Sequence, residues 1–193
     1  DLLDECNTIK EKEGFKFIHP FDDIDIILGQ GTIGLEIINQ VKNLDYVFVS
    51  IGGGGLISGI SCVLKSINPK IRIIGVEPIN SNIMTKSIAS DKPERFDKIS
   101  NKTLADGLAA PFAGSLTFKF VKKYVDEIIN VSEDEMIESM KIIMERLKVV
   151  PEAAASACFV PILKNKINIK PNTNSLVLLC GGNIDINKLK TLF

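Results

Sequence analysis

Four consecutive glycines, Gly52 to Gly55, follow the run Tyr46-Val-Phe-Val-Ser-Ile51 and precede Leu56-Ile-Ser-Gly59. A buried strand that passes through bare backbone directly into a helix collects unbonded N–H groups at the helix's positive end. Such a turn is a cradle for an anion, above all a phosphate. A tight turn with close packing needs one or two glycines and seldom four, so it is the weaker reading. Two common phosphate loops fit poorly. A P-loop ends in Gly-Lys-Ser/Thr, whereas Gly55 is followed by Leu56 and Ile57. A dinucleotide fingerprint needs Ser58 in the third glycine place, as Gly53-x-Gly55-x-x-Ser58, with Glu77 as the ribose-binding acid, and it stands as the rival reading.

A second glycine pair, Gly181-Gly182, follows Ser175-Leu-Val-Leu-Leu-Cys180. Cys180 is expected at a strand's end, facing the same ligand edge. Its thiol could exchange one hydrogen bond with a ring, and ordinary burial is an equal alternative. Hydrolytic chemistry has little support: the chain holds one histidine, His19, beside Pro20 in a turn-like segment, and no Gly-x-Ser-x-Gly elbow. Cysteines at 6, 62, 158 and 180 form no CxxC pair and no metal-ligand spacing. They read as reduced thiols of an intracellular, cytoplasmic protein.

The elements that would position these groups alternate. Residues 1 to 13 read as the end of a helix stopped by Gly14, followed by an extended run at 15 to 18 and turn chemistry at His19-Pro-Phe-Asp-Asp23. Ile24 to Leu28 is a brief apolar segment, and Gly29-Gln-Gly31 is expected to open a helix near Thr32. A strand at 46–51, a helix from 56 to about 66 and a strand at 72–76 make one βαβ unit. Residues 78 to 111 predict surface helix and loop. Ser132-Glu-Asp-Glu135 is a capping box ahead of Met136, Met140, Ile143, Met144 and Leu147 at helical spacing, a core-facing stripe. Residues 153 to 163 predict a buried helix of small residues, and 175–180 a fully buried strand. The class is α/β with a largely parallel sheet.

With 193 residues, 45% of them hydrophobic, the chain fills a core, which excludes disorder as its main state. Twenty-three basic against 24 acidic residues leave no excess for a nucleic-acid backbone. The uncharged run from 46 to 64 is long enough to span a bilayer, but four glycines in its middle favour strand, loop and helix over a membrane span. Opening on Asp1-Leu2-Leu3-Asp4-Glu5, the chain shows no secretory signal and reads as part of something longer.

Six segments, taken together and in order, resemble the pyridoxal-phosphate threonine/serine dehydratases and serine racemase. They are His19-Pro-Phe-Asp-Asp23, Gly29-Gln-Gly-Thr-Ile-Gly-Leu-Glu36, Gly52-Gly-Gly-Gly-Leu-Ile-Ser-Gly59, Gly75-Val-Glu-Pro78, Ala105-Asp-Gly107 and Cys180-Gly-Gly-Asn-Ile-Asp185. The resemblance implies the tryptophan-synthase-β-like fold, called fold type II, with residues 1–22 ending a small domain and 23–193 forming the large phosphate-holding one. It implies that Gly52, Gly53, Gly54, Gly55 and the Leu56 amide hold the phosphate of pyridoxal 5'-phosphate. It places Cys180 against the pyridine nitrogen and Glu152, before a small-residue helix, on the pocket wall. It implies an amino-acid substrate and a homodimer or higher homo-oligomer. Such enzymes attach the cofactor to a Lys in Ser-x-Lys-x-Arg-Gly, and no segment here matches, because Arg72, Arg95 and Arg146 are followed by Ile, Phe and Leu. No catalytic residue is therefore assigned, and this chain alone is expected to be inactive. Serine racemase binds a divalent cation on the Glu matching Glu77 and on an Asp further along. Ile83 falls at that Asp position, so no metal site is expected. Dehydratase is the leading activity, serine racemase the alternative, and a non-catalytic ligand-binding remnant the third reading.

Overall fold

The computed structural model describes residues 2–96 and 103–193. Helix α1 (Leu2–Glu13) ends at Gly14, whose φ of +69° and N–H bond to the Lys10 carbonyl make it the expected stop. Helix α2 (Ile24–Gln40) begins eight residues before Thr32, which corrects the expected start. Asp23 is its N-cap, with Oδ1 accepting from the Asp25 N–H at 2.8 Å. The glycines predicted to open this helix lie inside it. Strand β1 (Leu44–Ser50), helix α3 (Gly55–Ile67) and strand β2 (Arg72–Pro78) form the expected βαβ unit. The uncharged run thus divides between a strand and a helix, and no helix among the described residues is long and apolar enough to cross a membrane.

Why α2 tolerates internal glycines is visible in its packing against α3. A Cβ on Gly34 would lie 2.9 Å from the Val63 Cβ, and one on Gly59 only 2.3 Å from the Ile27 carbonyl oxygen. The two helices touch backbone to backbone, a closeness that any side chain would prevent. Tertiary contact therefore overrides the helix propensity of these positions.

Beyond β2, helix α4 (Ile83–Ser90) buries Ile83 and Met84, so it is more than surface structure. Part of the predicted loop, residues 97–102, lies outside the described residues. Helix α5 (Ser115–Tyr124) and strand β3 (Glu127–Val131) follow, two elements the sequence reading did not mark. Helix α6 (Glu133–Leu147) carries the predicted capping box at Ser132 and Glu135. Met136 and Met140 are fully buried, Met144 is partly so, and Leu147 turns out to solvent. The small-residue stretch is helical but segmented, as α7 (Ala153–Ser156), a 3₁₀ turn (Ala157–Phe159) and α8 (Val160–Leu163).

Strand β4 (Asn174–Val177) and helix α9 (Ile186–Leu192) complete the chain. The four strands pair in parallel, in the order β3-β2-β1-β4. The central pair is buried on both faces, with Val47, Phe48, Val49, Ile73 and Ile74 all inaccessible. Strand β4 departs from expectation: it is exposed at its start and half-buried further on, because it pairs only with β1 among the described residues.

Glu77, at the end of β2, is wholly buried. Its Oε1 accepts from the Met84 N–H at 2.9 Å and its Oε2 from the Thr85 N–H at 2.8 Å and the Thr85 hydroxyl at 2.6 Å. It caps the first turn of α4, whose own N-cap, Asn82, contributes no side-chain bond. Burial raises its pKa from 4.5 to about 7, against the lowering effect of those hydrogen bonds. An acid whose folded pKa is raised binds its proton more tightly when folded. Its contribution is therefore fully present below about pH 4.5 and is lost as pH rises through 7, a swing on the order of 3 kcal/mol. In urea unfolding at pH 5 and pH 8, the native chain is expected to lose more stability between the two than Glu77→Gln. Equal losses would show that Glu77 ionises as freely folded as unfolded.

Candidate functional site

The carboxyl ends of β1 and β4 open onto a cavity of about 510 Å³. Gly52, Gly53, Gly54, Gly55, Leu56, Glu152 and Cys180 all line it, so the structure brings the seven predicted residues together. Gly54 is the N-cap of α3, at φ +90° and ψ 0°, a conformation suited to glycine. The first bond of the helix is donated by the Ser58 N–H to the Gly54 carbonyl, at 3.0 Å. The preceding amides, those of Gly54, Gly55, Leu56 and Ile57, have no partner within the helix. Among the described residues no hydrogen bond is donated by the amides of Gly52 to Leu56. This is the arrangement an anion site requires, with donors and dipole converging on a roomy cavity.

The four glycines also have separate steric reasons. A Cβ on Gly53 would stand 2.2 Å from the Phe21 ring, and one on Gly52 would meet the Gly107 carbonyl oxygen at 3.0 Å. A Cβ on Gly55 would press on the Phe21 backbone at 3.1 Å. Phe21 thus lies on the loop and forms part of the cavity wall. The segment that carries it is organised by His19, whose Nδ1 accepts from the Asp22 N–H at 2.8 Å and the Phe21 N–H at 3.2 Å. His19 is the turn residue its setting suggested.

Glu152 is fastened to the second glycine loop. Its N–H donates to the Gly181 carbonyl at 3.1 Å, and its Oε2 accepts from the Asn183 N–H at 3.0 Å. A Cβ on Gly181 would fall 2.3 Å from Glu152 Oε1, which explains the glycine there. Cys180 lies three residues past the end of β4 and is exposed. Packing around its sulfur, together with the Glu152 carboxylate, raises its pKa. Cys158 lies deeper, with its sulfur 2.8 Å from the Ser50 hydroxyl, and burial pushes its pKa up to about 12. Iodoacetamide at pH 8 is therefore expected to alkylate Cys180 while the folded chain protects Cys158, as peptide mass mapping would show. Equal labelling of the two would refute this ordering.

The rival dinucleotide reading loses its two supports. Ser58 is buried, its hydroxyl oxygen 3.5 Å from the Thr117 carbonyl, and the Glu77 carboxylate is turned to α4 rather than to the cavity. Two contributors went unmarked in the sequence. The Thr117 hydroxyl braces the glycine loop at the Gly53 carbonyl and Asp22 caps the helix turn that carries Thr117, and only the turn-like composition around Asp22 gave a signal.

The chain resembles known proteins along nearly all its length. L-threonine ammonia-lyase of Thermotoga maritima is 44% identical over 181 residues, which is 94% of this chain and 44% of that protein. The catabolic L-threonine dehydratase of Escherichia coli is 42% identical over 193 residues, all of this chain and 58% of that one. The crystal structure of serine racemase from Dictyostelium discoideum superposes with a TM-score of 0.85 at 36% identity, covering 95% of this chain and 58% of that one. The chain spans about half the length of the curated relatives it matches. The fold is that of the fold type II, tryptophan-synthase-β-like enzymes. Residues 1–181 match the model of the pyridoxal-phosphate dependent enzymes, and the chain belongs to that family.

Proposed function

We propose that this chain is the cofactor-phosphate-holding portion of a threonine/serine dehydratase, which converts L-threonine to 2-oxobutanoate and ammonia and L-serine to pyruvate and ammonia. The observation that carries it is the set of unbonded amides from Gly52 to Leu56, facing a cavity that Glu152 and Cys180 also line. These groups suit pyridoxal 5'-phosphate: a dianionic tail fits amides at a helix N-terminus, and a flat ring fits a wall holding Phe21 and a thiol. When bound, this cofactor supplies the electron sink for removal of a substrate's α-proton.

The chain's own residues then bind and orient. The glycine amides would hold the phosphate, and Phe21, packed against Gly53 and Gly55, forms the neighbouring part of the cavity wall. Cys180, on the cavity wall, would be available for one hydrogen bond to the ring, and its raised pKa favours the neutral thiol. Glu152 holds the Cys180-Gly-Gly182 loop in place through its bonds to Gly181 and Asn183. In this reading residues 1–22 end a small domain, residues 23–193 form the large one, and the working enzyme is a cytoplasmic homodimer or higher oligomer. The Lys that attaches the cofactor would come from a Ser-x-Lys-x-Arg-Gly segment, which this chain lacks, so the chain alone is inactive.

Serine racemase is the second reading, supported by the Dictyostelium discoideum relative at 36% identity over 191 residues. Supplying L-threonine and L-serine to the full gene product and measuring keto acid and D-serine distinguishes the two. Keto acid from both substrates supports the dehydratase, and D-serine as the main product supports the racemase. Loss of both, with pyridoxine 5'-phosphate still bound, would mark a ligand-binding remnant.

A further inference from the structure

The amide of Gly54 owes its orientation to a residue outside the cavity. The Thr117 side chain is wholly buried on α5, and its hydroxyl donates to the Gly53 carbonyl at 2.8 Å. The same oxygen lies 3.3 Å from the Gly114 carbonyl, one turn back in the helix. Thr117 is not part of the cavity wall that Gly53 and Gly54 line, so it reaches the loop from behind. In a planar trans peptide, the carbonyl of one residue and the N–H of the next point in opposite directions. Pulling the Gly53 carbonyl towards α5 therefore aims the Gly54 N–H at the cavity.

The geometry points to Thr117 as a positioning residue for the phosphate, and this inference rests on the phosphate reading above. The loop needs such a tether. Glycine at φ +90° is free to flip its flanking peptides, and a flip of the Gly53–Gly54 unit would present a carbonyl oxygen to a dianion. Asp22 holds the tether in register, since its carboxylate accepts the N–H groups of Ser115, Leu116 and Thr117 in the first turn of α5. A ligand phosphate is thus met by an amide fixed before it arrives, which removes an ordering cost from binding.

The test uses the 193-residue chain, with pyridoxine 5'-phosphate as probe because it lacks the aldehyde that would react with surface lysines. In amide-resolved nuclear magnetic resonance, the Gly54 N–H is expected to move with saturation, alongside those of Gly55 and Leu56. Calorimetric titration is expected to show affinity falling about tenfold or more in Thr117→Val, which keeps the shape but loses the donor, and returning in Thr117→Ser. A purely structural role for Thr117 would not give rescue by the hydroxyl alone. If Gly55 and Leu56 respond but Gly54 does not, the inference is overturned while the phosphate reading stands. Equal affinity for Thr117→Val and the native chain has the same meaning. If no amide of the loop responds at saturating probe, the phosphate reading itself falls. Where the valine variant fails to fold, a silent Gly54 N–H in the native chain, or a clear loss of affinity in Thr117→Ser, still overturns the inference.

Discussion

Gly59→Ala is expected to cost about 3 kcal/mol of stability, although alanine is favoured over glycine within a helix by about 1 kcal/mol. The sign is decided by what the added methyl would meet. A Cβ at Gly59 would stand 2.3 Å from the Ile27 carbonyl oxygen, 2.5 Å from the Gly31 nitrogen and 2.8 Å from the Gln30 carbonyl carbon. All three atoms are backbone of α2, and no rotamer change can move them aside. The helices must part as bodies, which opens the interface between Gly31, Gly34 and Val63. Gly29 in the same helix is the control, since nothing lies within 4 Å of its would-be Cβ. Gly29→Ala is expected to gain up to about 1 kcal/mol. Urea unfolding of both variants beside the native chain measures the contrast directly. Equal stabilities for the two would mean that α2 and α3 separate freely, and that the close approach is not what requires glycine.

The same pair of helices marks the boundary of what could be read without coordinates. The strand at 46–51, the helix after the glycines and the strand at 72–76 declare themselves through β-branched runs and punctuation. The capping box at Ser132 fixed the start of α6. Glycines in α2 signalled a helix start, since glycine is a poor helix former. Gly31 and Gly34 are there because α3 lies against them at Gly59, Ile60 and Val63, more than twenty residues away, and a local reading has no access to such partners. The run Ser175–Cys180 reads as a fully buried strand, whereas β4 covers Asn174–Val177 and is only half-buried, because burial depends on which strands flank it, and only β1 does among the described residues. Strand β3 escaped notice because Glu127-Ile-Ile-Asn-Val131 is short and carries polar residues at two of five positions. For the site, glycine chemistry led to the right edge of the sheet. The bracing behind it was invisible, because Asp22 and Thr117 are common residue types that matter only through contacts spanning more than sixty residues.

Asp22→Ala is expected to lower stability by about 2 to 3 kcal/mol and to weaken phosphate binding as well. The N-cap of α5 is Gly114, which has no side chain to cap the helix, and Asp22 performs that task from ninety-odd residues away. One carboxylate oxygen accepts from Leu116 at 2.8 Å and Thr117 at 2.9 Å, and the other accepts from Ser115 at 2.9 Å. Bonds to a carboxylate at a helix's positive end are each worth more than a neutral pair, but they are not additive. Water can replace the carboxylate at the exposed Ser115 amide, whereas the Leu116 and Thr117 amides are partly enclosed, which holds the total near that of two bonds. Asp22→Asn should cost less, about 1 kcal/mol, since its amide oxygen still serves Leu116 and Thr117 while its NH₂ opposes the Ser115 donor. The ordering native, Asn, Ala in urea midpoint, matched by the same ordering in affinity for pyridoxine 5'-phosphate, ties the cap to the loop through Thr117. An alanine variant within about 0.5 kcal/mol of the native chain would show that solvent caps α5 as well as Asp22 does. A variant that loses stability but binds the probe unchanged would instead separate the cap from the glycine loop, because Thr117 would then hold Gly53 without help from the turn in which it sits.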